Sequence, residues 1–333
     1  MTIYIVRPKT DIAGRFPKLA ARKLTAENRE AQVKEVAQQW QEDPTYQDIR
    51  NWIDETQDQG VAPISINPSY PTLTGTTIVD MSEEQAEELR RDVPNIIILQ
   101  DQPIELIRPI QDATTAKETL KKGDIWHLPA IAIETARQPG AEKTGKNVKI
   151  AVFDTGIDPN HPELRGKVAE SYNVNIRVNA GQGTVEPTTP QDTDGHGTHV
   201  AGLVCGNTVG VAPEAQLISV AMLPKGRGSL LNFLLALDWL INRPDVRIVN
   251  ISAGLRKYIA EMSDLIDDLL AFGILPICAV GNEGRDRTRS PGNCLGVISV
   301  GATNRSNKVA GFSGSGRLSL FYHSGKSIIR PNR

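Results

Sequence analysis

The chain has 333 residues, enough for about two domains at roughly 150 residues each. Charged residues make up 23% and the set AVILMFWYC 39%, and the formal net charge is −2, with 37 Lys+Arg against 39 Asp+Glu. This composition excludes a disordered or fibrous chain, and the charge balance argues against one built mainly to hold nucleic acid or acidic lipid.

Thr2–Val6 (TIYIV) is a short β-rich run. Thr25–Gln41 is rich in Ala, Glu, Gln and Lys, which predicts a solvent-facing helix. Residues 42–72 read as loop, punctuated by Pro44, Gly60, Pro63, Pro68 and Pro71. Thr74–Met81 reads as a strand, and Ser82 caps a helix with acids in its first turn and arginines in its last. Pro94 ends that helix, and Asn95–Asp101 (NIIILQD) has the pattern of a buried strand. Residues 1–110 are therefore expected to form a small α+β domain. Residues 111–125 are polar and charged without an apolar period, which predicts a linker or processing segment before a second domain at 126–333.

From Val148 onward short apolar strands alternate with helices. Strands end at Asp154 and Ser252, and others cover QLISVAML, ILPICAV and GVISVGA. Helices are predicted at HGTHVAGLVCG, at SLLNFLLALDWLINR behind a Ser229 cap, and at DLIDDLLAFG, closed by Gly273. This alternation predicts an α/β fold with a mostly parallel sheet and helices on both faces. The most apolar stretch, Leu230–Ile241, has 12 residues and contains Asn232 and Asp238, short of the roughly 20 that a transmembrane helix needs. The first ten residues lack the apolar core of a signal peptide, so the default expectation is a cytoplasmic protein without a membrane partner. Cys205, Cys278 and Cys294 are odd in number and make no disulfide framework, so they are expected as buried small hydrophobes.

Chemistry in such a sheet collects at the carboxyl ends of the strands, where Asp154, Ser252 and Asn282 fall. Asp154 alone equally fits a turn or helix cap. His196 lies between glycines in DGHGTHVAG, and His199 follows at i+3 on the same helix face, a spacing that also suits a metal. No second ligand pair accompanies them, and no metal site is expected. Asn282, in AVGNEG, either donates to a developing oxyanion or is an ordinary turn asparagine. The small residues Ser252, Ala253 and Gly254, and likewise Gly226, Arg227 and Gly228, leave backbone free to pair with an extended ligand.

The segments AVFDTGIDPNHPEL, DGHGTHVAG, VAPEAQLISVAMLPKGRGS, VNISAG, AVGNEG and VISVGATNRSNKVAGFSGSG together resemble, in order, those of the subtilisin-like serine proteases, the subtilases. The resemblance runs from about Trp126 to Gly316. It implies an Asp-His-Ser serine endopeptidase acting on polypeptides through an acyl-enzyme. Asp154 would orient the imidazole, His196 would be the base, and Asn282 would donate to the oxyanion. Ser252–Gly254 and Gly226–Gly228 would hold substrate backbone, and His199 would be structural. The chemistry would need no cofactor, while structural calcium, with no assignable ligands, is common in the family. The N-terminal domain resembles a propeptide that inhibits the site, with its tail near Gln102–Gln111 lying in the cleft as an extra strand.

The family's nucleophile motif, Gly-Thr-Ser-x-Ala, does not occur in the sequence. No serine after Asn282 follows a Gly-Thr pair. The expectation is a chain truncated before its nucleophile. The alternative is a catalytically dead, peptide-binding relative or a truncated gene product.

Overall fold

The computed structural model describes residues 2–9, 26–66, 73–108, 125–141, 143–177 and 181–315. The expected linker, apart from Ile125, and residues 316–333 lie outside the described residues.

The N-terminal third opens with β1 (Thr2–Pro8), α1 (Ala26–Glu42) and α2 (Pro44–Thr56). It continues through β2 (Ala62–Ile66), β3 (Thr77–Met81), α3 (Glu83–Asp92), β4 (Ile96–Gln100) and β5 (Pro103–Leu106). The expected loop over 42–72 is corrected here, because it contains both α2 and β2. Pro44 stands at the first turn of α2, where its missing N–H costs nothing, and Asp43 caps the helix by accepting from the Tyr46 amide at 3.0 Å. The α3 start follows the sequence reading, with a reciprocal capping box between Ser82 and Gln85.

After two short helical turns come β6 (Lys149–Asp154), the hairpin β7 (Val168–Arg177) and β8 (Gln182–Pro187), α4 (His196–Cys205) and β9 (Gln216–Ala221). The chain then runs through β10 (Arg227–Ser229), α5 (Leu230–Ile241), β11 (Val246–Ile251) and β12 (Ala253–Gly254). The last described elements are α6 (Met262–Ala271), β13 (Leu275–Ala279) and β14 (Ile298–Val300). Among the described residues 11 strands form one sheet in the order β14-β13-β11-β6-β9-β7-β8-β2-β3-β1-β4. The six from β14 to β7 are mutually parallel, and β8 turns back antiparallel on β7.

Strand alternation explains why both faces of the parallel part are covered. In β6, Ala151 and Phe153 join a core with α5 and α6, whereas Ile150 and Val152 pack with Ala201 and Cys205 of α4. The α/β layering expected from the sequence is the observed one. The N-terminal sheet alternates too. Tyr4 and Val6 pack under α2 and α3, while Ile5 points with Trp40 of α1 into the core shared with α5. No helix among the described residues is long and apolar enough to cross a membrane.

Candidate active site

Asp154 is the last residue of β6 and is 1% exposed. A buried carboxylate is costly without partners. Its Oδ1 accepts from the Thr155 amide at 2.8 Å, and both its oxygens face Nδ1 of His196, at 2.8 and 2.9 Å. The other ring nitrogen, Nε2, lies 3.2 Å from the carbonyl oxygen of Ile107. Both nitrogens thus face acceptors, which favours the doubly protonated ring. Burial pushes the His196 pKa down, but the hydrogen bond and charge of Asp154 outweigh it, and the net direction is up from an ordinary histidine. His199 moves the other way, lowered by burial and then by the neighbouring His196 charge.

Two glycines allow this pair to meet. A Cβ on Gly197, in the first turn of α4, would lie 2.0 Å from the carbonyl oxygen of Gly156. Gly156 itself has φ +108, and a Cβ there would lie 2.1 Å from the carbonyl oxygen of Gln191. The helix carrying His196 can therefore sit directly against the end of β6. Asp192, which the sequence reading passed over, fastens this junction. It accepts from the Thr198 amide at 2.8 Å and hydroxyl at 2.6 Å, from the Gly195 amide at 2.9 Å and from the Thr155 hydroxyl at 2.7 Å. Burial raises the Asp192 pKa, and these bonds more than offset it, leaving it low. Its signal was the polar Asp-x-Asp-Gly run just ahead of a helix start.

Asn282 lies beyond the carboxyl end of β13. Its side-chain Nδ2 donates to the carbonyl of Arg108, and its backbone N–H donates to Glu283 Oε2 at 3.0 Å. The structure thus brings Asp154, His196 and Asn282 to one stretch of backbone, Ile107–Arg108.

That backbone continues β5, which lies between two rails. On one side Arg227 faces Glu105 and Gly228 faces Ile104. On the other Ala253 faces Leu106 and Gly254 faces Glu105, and the Ile107 amide donates to the Ser252 carbonyl at 2.9 Å. Five of the six expected backbone-binding residues therefore pair with the strand or bond to it through their backbone. Gly226 sits in the turn before β10, with φ 71, where an added Cβ would lie 2.8 Å from Arg108 Nη2 and 3.3 Å from Leu106 Cδ1, and the rail runs from Arg227 to Ser229. The extra strand expected from residues 102–111 is present over Pro103–Leu106, and Pro109 onward lies outside the described residues.

Other groups near the strand carried no sequence signal. Arg108 forms a two-contact pair with Asp194, at 2.9 and 2.7 Å. Glu105 meets Arg256 at 2.7 Å and Arg289 at 3.3 Å. The three cysteines are buried as expected, and burial pushes the Cys205 and Cys294 thiols up to about 11. Among the described residues no three His, Cys, Asp or Glu side chains are grouped to hold a metal ion.

The subtilase family profile matches residues 145–326. The chain is 32% identical over 265 residues to the minor extracellular protease Epr of Bacillus subtilis strain 168, covering 75% of this chain and 38% of that protein. It is 33% identical over 212 residues to Subtilisin BL of Lederbergia lenta, covering 62% of this chain and 71% of that protein. It is 30% identical over 259 residues to M-protease of Shouchella clausii strain KSM-K16, covering 76% and 59% respectively. The chain thus spans between about two fifths and seven tenths of the length of these relatives.

Proposed function

The chain belongs to the subtilase family, and on that premise we propose that it supplies the base, the orienting carboxylate, the oxyanion amide and the substrate cleft of a serine endopeptidase. The observation that carries this reading is the Asp154–His196 pair set against a main-chain strand already seated between two rails. In the proposed reaction His196 Nε2 takes the proton of a serine hydroxyl as it attacks a peptide carbonyl, then returns it to the departing amine. Asp154 holds the ring through Nδ1 and stabilises its charge. Asn282 donates to the oxygen as it becomes negative. Water then releases the acyl group by the same steps in reverse. The serine is to come from a Gly-Thr-Ser-x-Ala segment, which these 333 residues do not contain.

The N-terminal domain, residues 1–110, is proposed as an inhibitor held in place. The occupied cleft supports this, because Ile107 and Arg108 stand where a substrate would.

The test is a polypeptide joining these residues to the nucleophile-bearing segment of Subtilisin BL. A fluorophosphonate should label its added serine and leave the 333-residue chain unlabelled. Its own chain should be cut after Ile107 or after Arg108, read by mass spectrometry. His196→Ala should lower turnover by several orders of magnitude, and Asn282→Ala by roughly 10²–10³. His199→Ala should retain turnover. Equal loss from His196→Ala and His199→Ala, with zinc restoring activity after chelation, would overturn the reading in favour of a metal hydrolase.

A further inference from the structure

The seated strand is bracketed by charge. Ile104, Leu106 and Ile107 are buried, at 3%, 7% and 8% exposure, and Glu105 and Arg108 both reach opposite charges. Glu105 Oε2 takes Arg256 Nε at 2.7 Å and Arg289 Nη2 at 3.3 Å. Arg289 differs from a surface cation. Its side chain is 5% exposed, and its Nη1 donates to the backbone carbonyls of Gly254, at 3.2 Å, and Glu105, at 3.4 Å. It is held from behind by Glu283, whose Oε1 accepts from its Nε at 2.8 Å. The other oxygen of Glu283 accepts from the Asn282 amide, so the acid-reading cation and the candidate oxyanion donor share one support. At the opposite end Asp194, whose side chain is 16% exposed, takes Arg108 through two parallel bonds of 2.9 and 2.7 Å. That planar, two-point contact suits a guanidinium better than an ammonium.

From this arrangement we infer that the cleft selects polypeptides carrying an acidic residue, two apolar residues and then a basic residue, as in Glu105-Leu106-Ile107-Arg108, with Arg256 and Arg289 reading the acid and Asp194 the base. The inference rests on the reading of this groove as a substrate cleft. It adds a sequence preference that backbone pairing cannot supply, because main-chain bonds are blind to side chains. Charge reversal in a bound peptide sets like charges together at both ends and is rejected twice.

The test needs no chemistry. Hydrogen exchange in the peptide spanning residues 103–108 is measured in the full 333-residue chain. Glu105→Asp should exchange within about twofold of wild type, Glu105→Gln about fivefold faster and Glu105→Lys tenfold faster or more, as expected for partly exposed pairs. Arg108→Asp and Asp194→Arg should each loosen the strand by about fivefold, and the double exchange of charge should return it to within about twofold. In the serine-bearing polypeptide described above, a peptide containing Glu-Leu-Ile-Arg should have a kcat/KM at least tenfold above one containing Lys-Leu-Ile-Glu. Glu105→Lys exchanging like wild type, or no recovery in the Arg108–Asp194 swap, would refute the charge selection and leave the protease reading intact. The expected exchange pattern without cleavage of either peptide would instead refute the protease reading and retain the recognition.

Discussion

His196 and His199 are three residues apart on one helix, and their surroundings drive them in opposite directions. Asp154 stabilises the His196 imidazolium beyond the cost of burial, whereas His199 has burial and a like charge against it. Proton NMR of the ring Cε1 hydrogens should therefore show His196 titrating above, and His199 below, an ordinary histidine value of about 6.5. Asp154→Asn should bring the His196 midpoint down, because burial then acts without its counterweight. A histidine raised in the fold contributes stability that is complete below its unfolded pKa and is lost as pH rises through the folded one. The Asp154–His196 pair should thus help the fold most in mild acid. An unchanged His196 midpoint in Asp154→Asn would show that another group holds the ring.

At the scale of elements, β1 is joined to α6 by charge as well as by packing. Arg7 Nη1 lies 2.9 Å from Asp268 Oδ2, with side chains 2% and 0% exposed. Burying two ions costs several kcal/mol, which their attraction must offset before the pair adds any net stability. Arg7→Met removes a counter-charge from a buried carboxylate and should cost about 3–5 kcal/mol, read from urea midpoints. Arg7→Met with Asp268→Leu should recover more than half of that loss. If the double variant were as unstable as the single, the carboxylate would not be the source of the cost. The same scale explains two elements the sequence reading missed. The helix α2 begins at Pro44, a residue that ends helices elsewhere but is neutral in the first turn. The β7–β8 hairpin carries many polar residues, and Asn175 and Thr184 both donate to the Glu186 carboxylate on its exposed side.

Across the whole molecule, the N-terminal and C-terminal parts share one core and one sheet. Strand β2 pairs with β8 at Ser65 and Ile66, and Trp40 donates to the Leu73 carbonyl at 2.9 Å beside α5. Within that contact Asp238 of α5 accepts from the Leu73 amide at 2.8 Å and from the Thr74 amide and hydroxyl at 3.2 Å. Burial pushes the Asp238 carboxyl up to about 6 despite these bonds. A carboxyl raised in the fold takes up a proton on folding. Its contribution is complete below about 4, the unfolded value, and is lost as pH rises through about 6. The stability of the wild type relative to Asp238→Asn should therefore fall between pH 4 and pH 6, by up to about 3 kcal/mol. A flat difference across that range would show that Asp238 is solvated in solution. The same helix also anchors the start of β5, since Asp101 accepts from the Leu231 amide at 2.9 Å just before the strand begins.

The parallel layers, and the strand-end or helix-start places of Asp154, His196 and Asn282, are legible in the sequence alone. Apolar runs such as Lys149–Asp154 and Val246–Ile251 report local conformation and burial together, and Gly197 beside His196 announces close backbone approach. Tertiary structure decided what lies in the cleft and which charges surround it. Arg108 and Asp194 are 86 residues apart, and Asn282 reaches Arg108 across 174. Residues 102–108 are expected in the cleft only through the family resemblance, because the alternation over Pro103–Leu106 is too short to report a strand by itself. They become a strand because β10 and β12 offer unpaired backbone on both sides, and because Asp194, Arg256 and Arg289 supply the opposite charges. Local pattern encodes preference for a conformation, but a strand completed by two distant edges exists only once those edges have been folded into place.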